Sequence, residues 1–174
     1  MKMLTSISAA LMALLITSCA NNNTREGEVF VSPFNRDNPT IAALLDSSVA
    51  YVVYPTVGKA AVGIGGAHGK GDVYEKGLLG YTLIGRSELS QVNAGLQLGA
   101  QTYSEAIFFE NEDAFLRFKR GEAHLTTNIS AVFLEEGKKL DVAFNNGVAI
   151  IIRRKDGLMA ELSVGGQKLS YIPL

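Results

Sequence analysis

The hydrophobic pattern begins with an almost wholly apolar or small run from Leu4 to Ile16, preceded by Lys2 as a minimal positive region. The run is too short for the ~20 residues of a spanning helix, so it reads as the core of a signal peptide. Asn21 to Asn38 is polar, with Asn21-Asn22-Asn23, Gly27 and Pro33, and Pro39 just beyond. That composition cannot bury a core and predicts a flexible tether. From Thr40 the text changes. Ile41, Leu44, Leu45, Val49 and Val52 recur at helical spacing behind a threonine able to cap, and Pro55 ends the pattern. A short amphipathic helix is predicted.

Strand signals follow. Ala60, Val62 and Ile64 alternate with smaller residues before Gly65-Gly66, and Val73-Tyr74 follow Gly69-Lys70-Gly71, which predicts a hairpin there. Leu78 to Ile84 and Val92 to Phe109 read as further strands, with Gly80, Gly85, Gly95 and Gly99 marking bulges, bends or close packing. Asn111 is an N-cap, Glu112 and Asp113 suit the positive end of a helix dipole, and Arg117, Lys119 and Arg120 suit the other end before Gly121. Ala123 to Phe133 reads as strand, Glu135 to Lys139 as a polar loop and Val142 to Phe144 as strand. The end reads as a meander: Val148 to Arg153, a turn at Asp156-Gly157, Leu158 to Val164, a turn at Gly165-Gly166, and Leu169 to Ile172. The expected fold is α+β and mainly antiparallel β, a glycine-rich curved sheet or barrel-like domain with two or three short helices. The expected organisation is a signal peptide over 1–18, a tether over 19–38 and one domain over 39–174.

Composition changes this picture at one residue. Cys19 is the single cysteine of 174 residues, so no intrachain disulfide can form. Ile16-Thr17-Ser18-Cys19 resembles the lipobox of bacterial lipoproteins: a branched apolar residue, two small ones, then the acylated cysteine. The resemblance implies cleavage before Cys19 and attachment of acyl chains, palmitate among them, to that cysteine, whose thiol can take a diacylglyceryl group. Several chains hold stably where one binds marginally. Ala20 stands where an aspartate often signals inner-membrane retention, so the expected place is the outer membrane, facing the periplasm. The alternative is an incidental cysteine in an ordinary secreted precursor.

The formal net charge of −1 is spread along the chain and leaves no nucleic-acid footprint. Gly63-x-Gly65-Gly66-x-x-Gly69, extended to Gly71, invites a phosphate-loop reading, but strand rather than helix follows, so the motif is read as structural, for a hairpin and close packing. The two histidines, His68 and His124, are too few for a metal site of matched spacing, and no cofactor is expected. No Gly-x-Ser-x-Gly elbow exists, and Glu112-Asp113 and Glu135-Glu136 are explained as a helix start and a solvated loop, so no enzyme is expected. Lys59, Lys70, Lys138, Lys139 and the run Arg153-Arg154-Lys155 are the candidate contacts to lipid headgroups. Each cation near an anionic surface is worth about 1 kcal/mol.

Val53-Tyr54-Pro55-Thr56-Val57-Gly58-Lys59-Ala60, Gly63-Ile64-Gly65-Gly66-Ala67-His68-Gly69-Lys70-Gly71, Gly95-Leu96-Gln97-Leu98-Gly99-Ala100-Gln101 and Lys155-Asp156-Gly157-Leu158-Met159-Ala160 resemble in order and spacing the SYLF domain. That family includes yeast actin-patch proteins, plant FYVE-linked proteins and bacterial lipoproteins. The chain has no Trp, and Asn128 to Phe133 lacks the family's Gly-Pro-x-Gly element. The resemblance implies a non-enzymatic, membrane-associated domain that binds phospholipid, anionic phospholipid first, or another envelope amphiphile. Actin binding is not inferred for an envelope protein. The alternative is an envelope assembly protein that docks a protein partner. Acyl labelling tests the anchor: Cys19→Ala is expected to lose both the label and membrane fractionation, and retention of both would refute it.

Overall fold

The computed structural model describes Phe34 and residues 37–122, 124–125, 131–134, 139–157 and 166–174. The signal peptide, Cys19, Lys138 and the expected strand Leu158 to Val164 lie outside the described residues, as does Gly165 of the last expected turn.

Helix α1 (Pro39–Asp46) starts where Asn38 accepts from the backbone N–H of Thr40 at 2.9 Å and of Ile41 at 3.4 Å, with Pro39 preset for the first turn. Asn38, not Thr40, is the cap; Thr40 Oγ1 accepts from Leu140 N at 2.8 Å. The helix is also shorter than expected. Ser48 Oγ bonds back to Leu44 O at 2.6 Å and Val49 N donates to Phe109 O at 2.9 Å, so Val49 and Val52 are drawn onto the sheet.

Strand β1 (Ala50–Gly77, 28 residues) runs antiparallel to β2 (Gly80–Phe109, 30 residues) along their whole length. Extended, such strands would reach about 90 Å. Instead the hairpin doubles back on itself. A Cβ placed on Gly65 would lie 2.8 Å from Ala61 Cβ, one on Gly69 2.8 Å from Val57 Cγ2, and one on Gly71 2.5 Å from Val53 O and 2.7 Å from the Tyr54 ring. These nested approaches centre near Gly63 and define a first leg of β1 (50–62) facing a second leg (64–77). The legs meet again at their far ends, where Lys76 N donates to Val49 O at 2.7 Å.

Alternation explains the inward face. Val57, Lys59, Ala61, Gly65, Ala67, Gly69, Gly71 and Val73 are buried, and the described residues between them face mostly outward. A bulge between Tyr54 and Val57 inserts one residue and switches the inward set from Val52 and Tyr54 to the odd positions. Pro55 sits in that bulge, inside the strand. Gly65-Gly66 and Gly69-Lys70-Gly71 are therefore not hairpin turns, contrary to the sequence expectation. β1 runs straight through them, and their value is the missing side chain between two legs; the turn falls at Leu78-Leu79.

On its other edge β2 holds β6 (Gln167–Pro173) against 85–91 and β5 (Val148–Gly157) against 101–109. The two-residue β3 (His124–Leu125) lies on β6, and β4 (Ala131–Phe133) runs parallel to β5, so the six-stranded sheet is mixed. Among the described residues it stays open, in the order β3-β6-β2-β5-β4 with β1 paired to β2 off this path, rather than closing as a barrel. Asp156 and Gly157, where the sequence pattern places a turn, are the last paired residues of β5, opposite Thr102 and Gln101. Helix α2 (Glu112–Lys119) matches its expectation, with the Asn111 side chain accepting from Ala114 N at 3.0 Å.

Two cores result. Between the layers lie Val52, Tyr54, Leu89, Tyr103, Ile107 and Phe109, joined by Phe115 and Phe118 of α2. Outside the first layer, Ile41, Leu44 and Leu45 of α1 pack on Tyr51, Val53, Phe108 and Ile151. Val142 and Phe144 pack against this second core from an irregular segment, not the expected strand.

Close approach at Gly71 is directly testable. Gly71→Ala forces backbone to move and should cost about 1–3 kcal/mol by urea denaturation. Gly58→Ala, with nothing within 4 Å of its added carbon, should stay within about 1 kcal/mol of wild type.

Candidate functional site

The doubled hairpin encloses polar groups that a sandwich core normally excludes. Lys59 is only 2 % exposed, and Gln91, Gln101, Glu105 and Gln167 are as deeply buried. Cross-strand register sets Lys59 opposite Gln101, Val57 opposite Tyr103 and Tyr54 opposite Glu105. Gln167 of β6 donates to Glu105 Oε2 at 3.0 Å, a side-chain bond that joins the two layers. Tyr54 OH and Ser87 Oγ are 2.6 Å apart; Ser87 donates onward to Ser170 O at 2.6 Å, so the phenol donates to Ser87.

This surrounding medium resists charge. Burial pushes the Glu105 carboxyl up to about 7, against the pull of the Gln167 bond. Burial also raises the Tyr54 phenol, with Ser87 pulling it down and Glu105 adding to the rise. Tyr103 is raised by burial first and then by Glu105. Glu105 Oε1 and both ends of the Gln101 amide find no hydrogen-bond partner among the described residues.

A cleft of about 610 Å³ opens toward the bend of the hairpin. Its walls are Gly58-Lys59-Ala60 of the first leg and Gly66-Ala67-His68 of the second, and Ala100-Gln101-Thr102 of β2 completes it. Glycine and alanine make most of this lining apolar and low-walled. Lys59 and Gln101, on the inward face, bring an amine and an amide to it. Such a space, in the size range of small-molecule sites, suits a molecule with an apolar body and one polar end. Among the described residues no three His, Cys, Asp or Glu side chains gather as a metal site, and no helix is long and apolar enough to cross a membrane.

The expected headgroup residues do not share one face. Lys59 is interior, not superficial, because the Tyr54/Val57 bulge turns odd positions inward. Lys70 is exposed on the outside of the second leg, 3.7 Å from Glu88. Arg154 lies 5.5 Å from the Phe133 ring centre and Lys155 donates to Thr56 Oγ1 at 3.1 Å; both are exposed on β5, in the layer opposite Lys70. Arg153 is half-buried and Lys139 is exposed. Of the glycine motif, Gly65, Gly69 and Gly71 face inward, Gly66 lines the cleft, and Gly63 lies at the bend. The buried set Gln91, Gln101, Tyr103, Glu105 and Gln167 escaped sequence reading. Its one signal is that Gln101, Tyr103 and Glu105 fall at the same alternate positions as the apolar Ile107 and Phe109.

No protein-family model, curated protein or solved structure matches this chain.

Glu105 gives the interior a pH signature. Its folded value is raised above the ordinary 4.5, so the folded chain binds the proton more tightly than the unfolded one. Stability is then full below 4.5, falls as pH rises toward about 7 and levels off above it. The loss approaches roughly 3 kcal/mol at 1.36 kcal/mol per pH unit. Urea titrations of Glu105→Gln at pH 5 and pH 8 should show this slope removed; an unchanged slope would assign it to other groups.

Proposed function

We propose that this chain is a membrane-tethered, non-enzymatic domain of the bacterial envelope that holds an amphiphile in the cleft between the legs of β1. The observation that carries the reading is an apolar cleft of about 610 Å³ bordered by buried Lys59 and Gln101. An acyl chain fits the glycine and alanine walls, and a carboxylate or phosphate head suits the Gln101 amide and the Lys59 amine, whose protonated form such an anion would favour.

Two features of the sequence support it. The lipobox-like Ile16-Thr17-Ser18-Cys19 would put the domain at a lipid surface, on the periplasmic side of the outer membrane. The segments that carry the SYLF resemblance, Gly58-Lys59-Ala60, Gly66-Ala67-His68 and Ala100-Gln101, are also segments that border the cleft. Anionic phospholipid, or a related envelope amphiphile, is the ligand class this chemistry favours. Recognition is assigned to the cleft rather than to a basic surface, because the exposed cations are divided between two layers.

Native mass spectrometry of the full chain, released gently from membranes, is expected to show a bound acyl lipid that organic extraction recovers. Gln101→Leu removes one polar contact and should weaken uptake of a fluorescent fatty acid about tenfold, equivalent to about 1.4 kcal/mol. Wild-type protein that carries no lipid and takes up no fatty acid would refute the cleft.

A further inference from the structure

The turn joining β1 to β2 is unusual for water. Two-residue hairpin turns favour Asn-Gly, Asp-Gly or Gly-containing pairs. Here Leu78 and Leu79 occupy the turn between Gly77 and Gly80, and both are fully exposed, at 106 % and 104 % of reference. Scattered exposed leucines need no explanation. Two together at the apex of a projecting turn present their whole side chains as one apolar point.

The base of this point is fixed. Tyr81 OH lies 2.6 Å from Leu45 O and 2.8 Å from Ser48 O and donates to that pair. Lys76 Nζ donates to Asp46 O at 2.9 Å and stands 5.8 Å from the Tyr81 ring centre. Two exposed leucines above a tyrosine and a lysine reproduce the order of groups across a membrane surface, apolar in the acyl region and amphipathic at the headgroups. The same bonds tie the turn to the C-terminal end of α1. Helix α1 is about 12 Å long at 1.5 Å per residue, so the chain enters the domain close to the tip. Seventeen residues lie between Cys19 and Asp37, a contour of at most about 65 Å.

We propose that Leu78 and Leu79 insert into the bilayer that carries the anchor, giving the domain a second, non-covalent foothold and a fixed orientation. This rests on the tethered reading of Cys19. The cleft lies toward the other end of the hairpin, with Ala67 ten residues from Gly77, roughly 30 Å along the strand. A docked tip holds that cleft away from the lipid surface, open to the aqueous side. Exposed Asp46 offsets Lys76, and Glu75 is paired with Lys119 at 3.2 Å. Insertion therefore depends on apolar burial and little on anionic lipid.

The chain contains no Trp, so Leu78→Trp installs a unique fluorophore at the tip. The full acylated chain is reconstituted on phosphatidylcholine vesicles, with flotation scoring attachment. Trp at position 78 is expected to emit to the blue of its value in water and to lose most of its intensity when brominated acyl chains are used. Added phosphatidylglycerol should change neither result. Val92→Trp, at an exposed site near the bend, should remain water-like and unquenched. Chains that float while Trp at 78 stays water-like overturn the insertion and leave the anchor intact. A blue shift without quenching, as contact with a second copy would give, also overturns it, and so does quenching at 92 instead of 78. Chains that fail to float overturn the tether and the insertion together.

Discussion

Everything in this domain depends on one hairpin meeting itself at close range. Two strands of about thirty residues cannot remain extended in a small domain, and folding them back sets inward residues of one leg against backbone of the other. At Gly71 the facing atoms are Val53 O and the Tyr54 ring, closer than any Cβ tolerates. Glycine at these positions is thus a packing requirement, separate from turns or positive φ. The legs are held by contact along their length and by the backbone bond from Lys76 to Val49 O.

That close approach divides the interior into two regimes. At the end capped by α2, Phe109, Phe115 and Phe118 fill the space with ring centres 5.0 to 6.0 Å apart. Toward the bend the inward residues are small or polar, and the cleft opens among them. Buried polar groups cost several kcal/mol unless compensated. Glu105 shares one bond with Gln167, and its raised pKa is the electrostatic expression of how little else solvates it. In the proposed reading, a polar head entering the cleft would meet the Gln101 amide, which finds no hydrogen-bond partner among the described residues. The tip and the cleft lie at opposite ends of the hairpin, so the proposed attachment and the proposed recognition use separate surfaces.

The local chemistry of individual elements was legible along the chain. Asn111, the acidic first turn and the basic last turn specify α2 with no help from tertiary context, because each acts within one helical turn. The strands over Val148 to Arg153 and Leu169 to Ile172 were legible for a similar reason, as short apolar, partly β-branched runs between turn residues. Val49 and Val52 were misread because helical spacing and strand alternation share those positions, and a bond from Val49 N to Phe109 O, sixty residues away in sequence, decides between them. The glycine pairs were misread because a glycine in a turn and a glycine under a facing strand look alike in one dimension.

The sequence by itself determined the lipobox-like start with its lone Cys19, the sheet-dominated α+β class, the α2 helix and the absence of a basic stripe, since all of these reside in composition or within a few neighbouring residues. Tertiary structure alone decided that β1 turns back on itself, that Lys59 faces inward, that Gln167 reaches Glu105 across two layers, and that Leu78-Leu79 forms a bare apex. These depend on a one-residue bulge that reverses which face is inner, and on pairings between residues tens of positions apart. No local pattern encodes such relations, because the energy that fixes them exists only after distant strands have met.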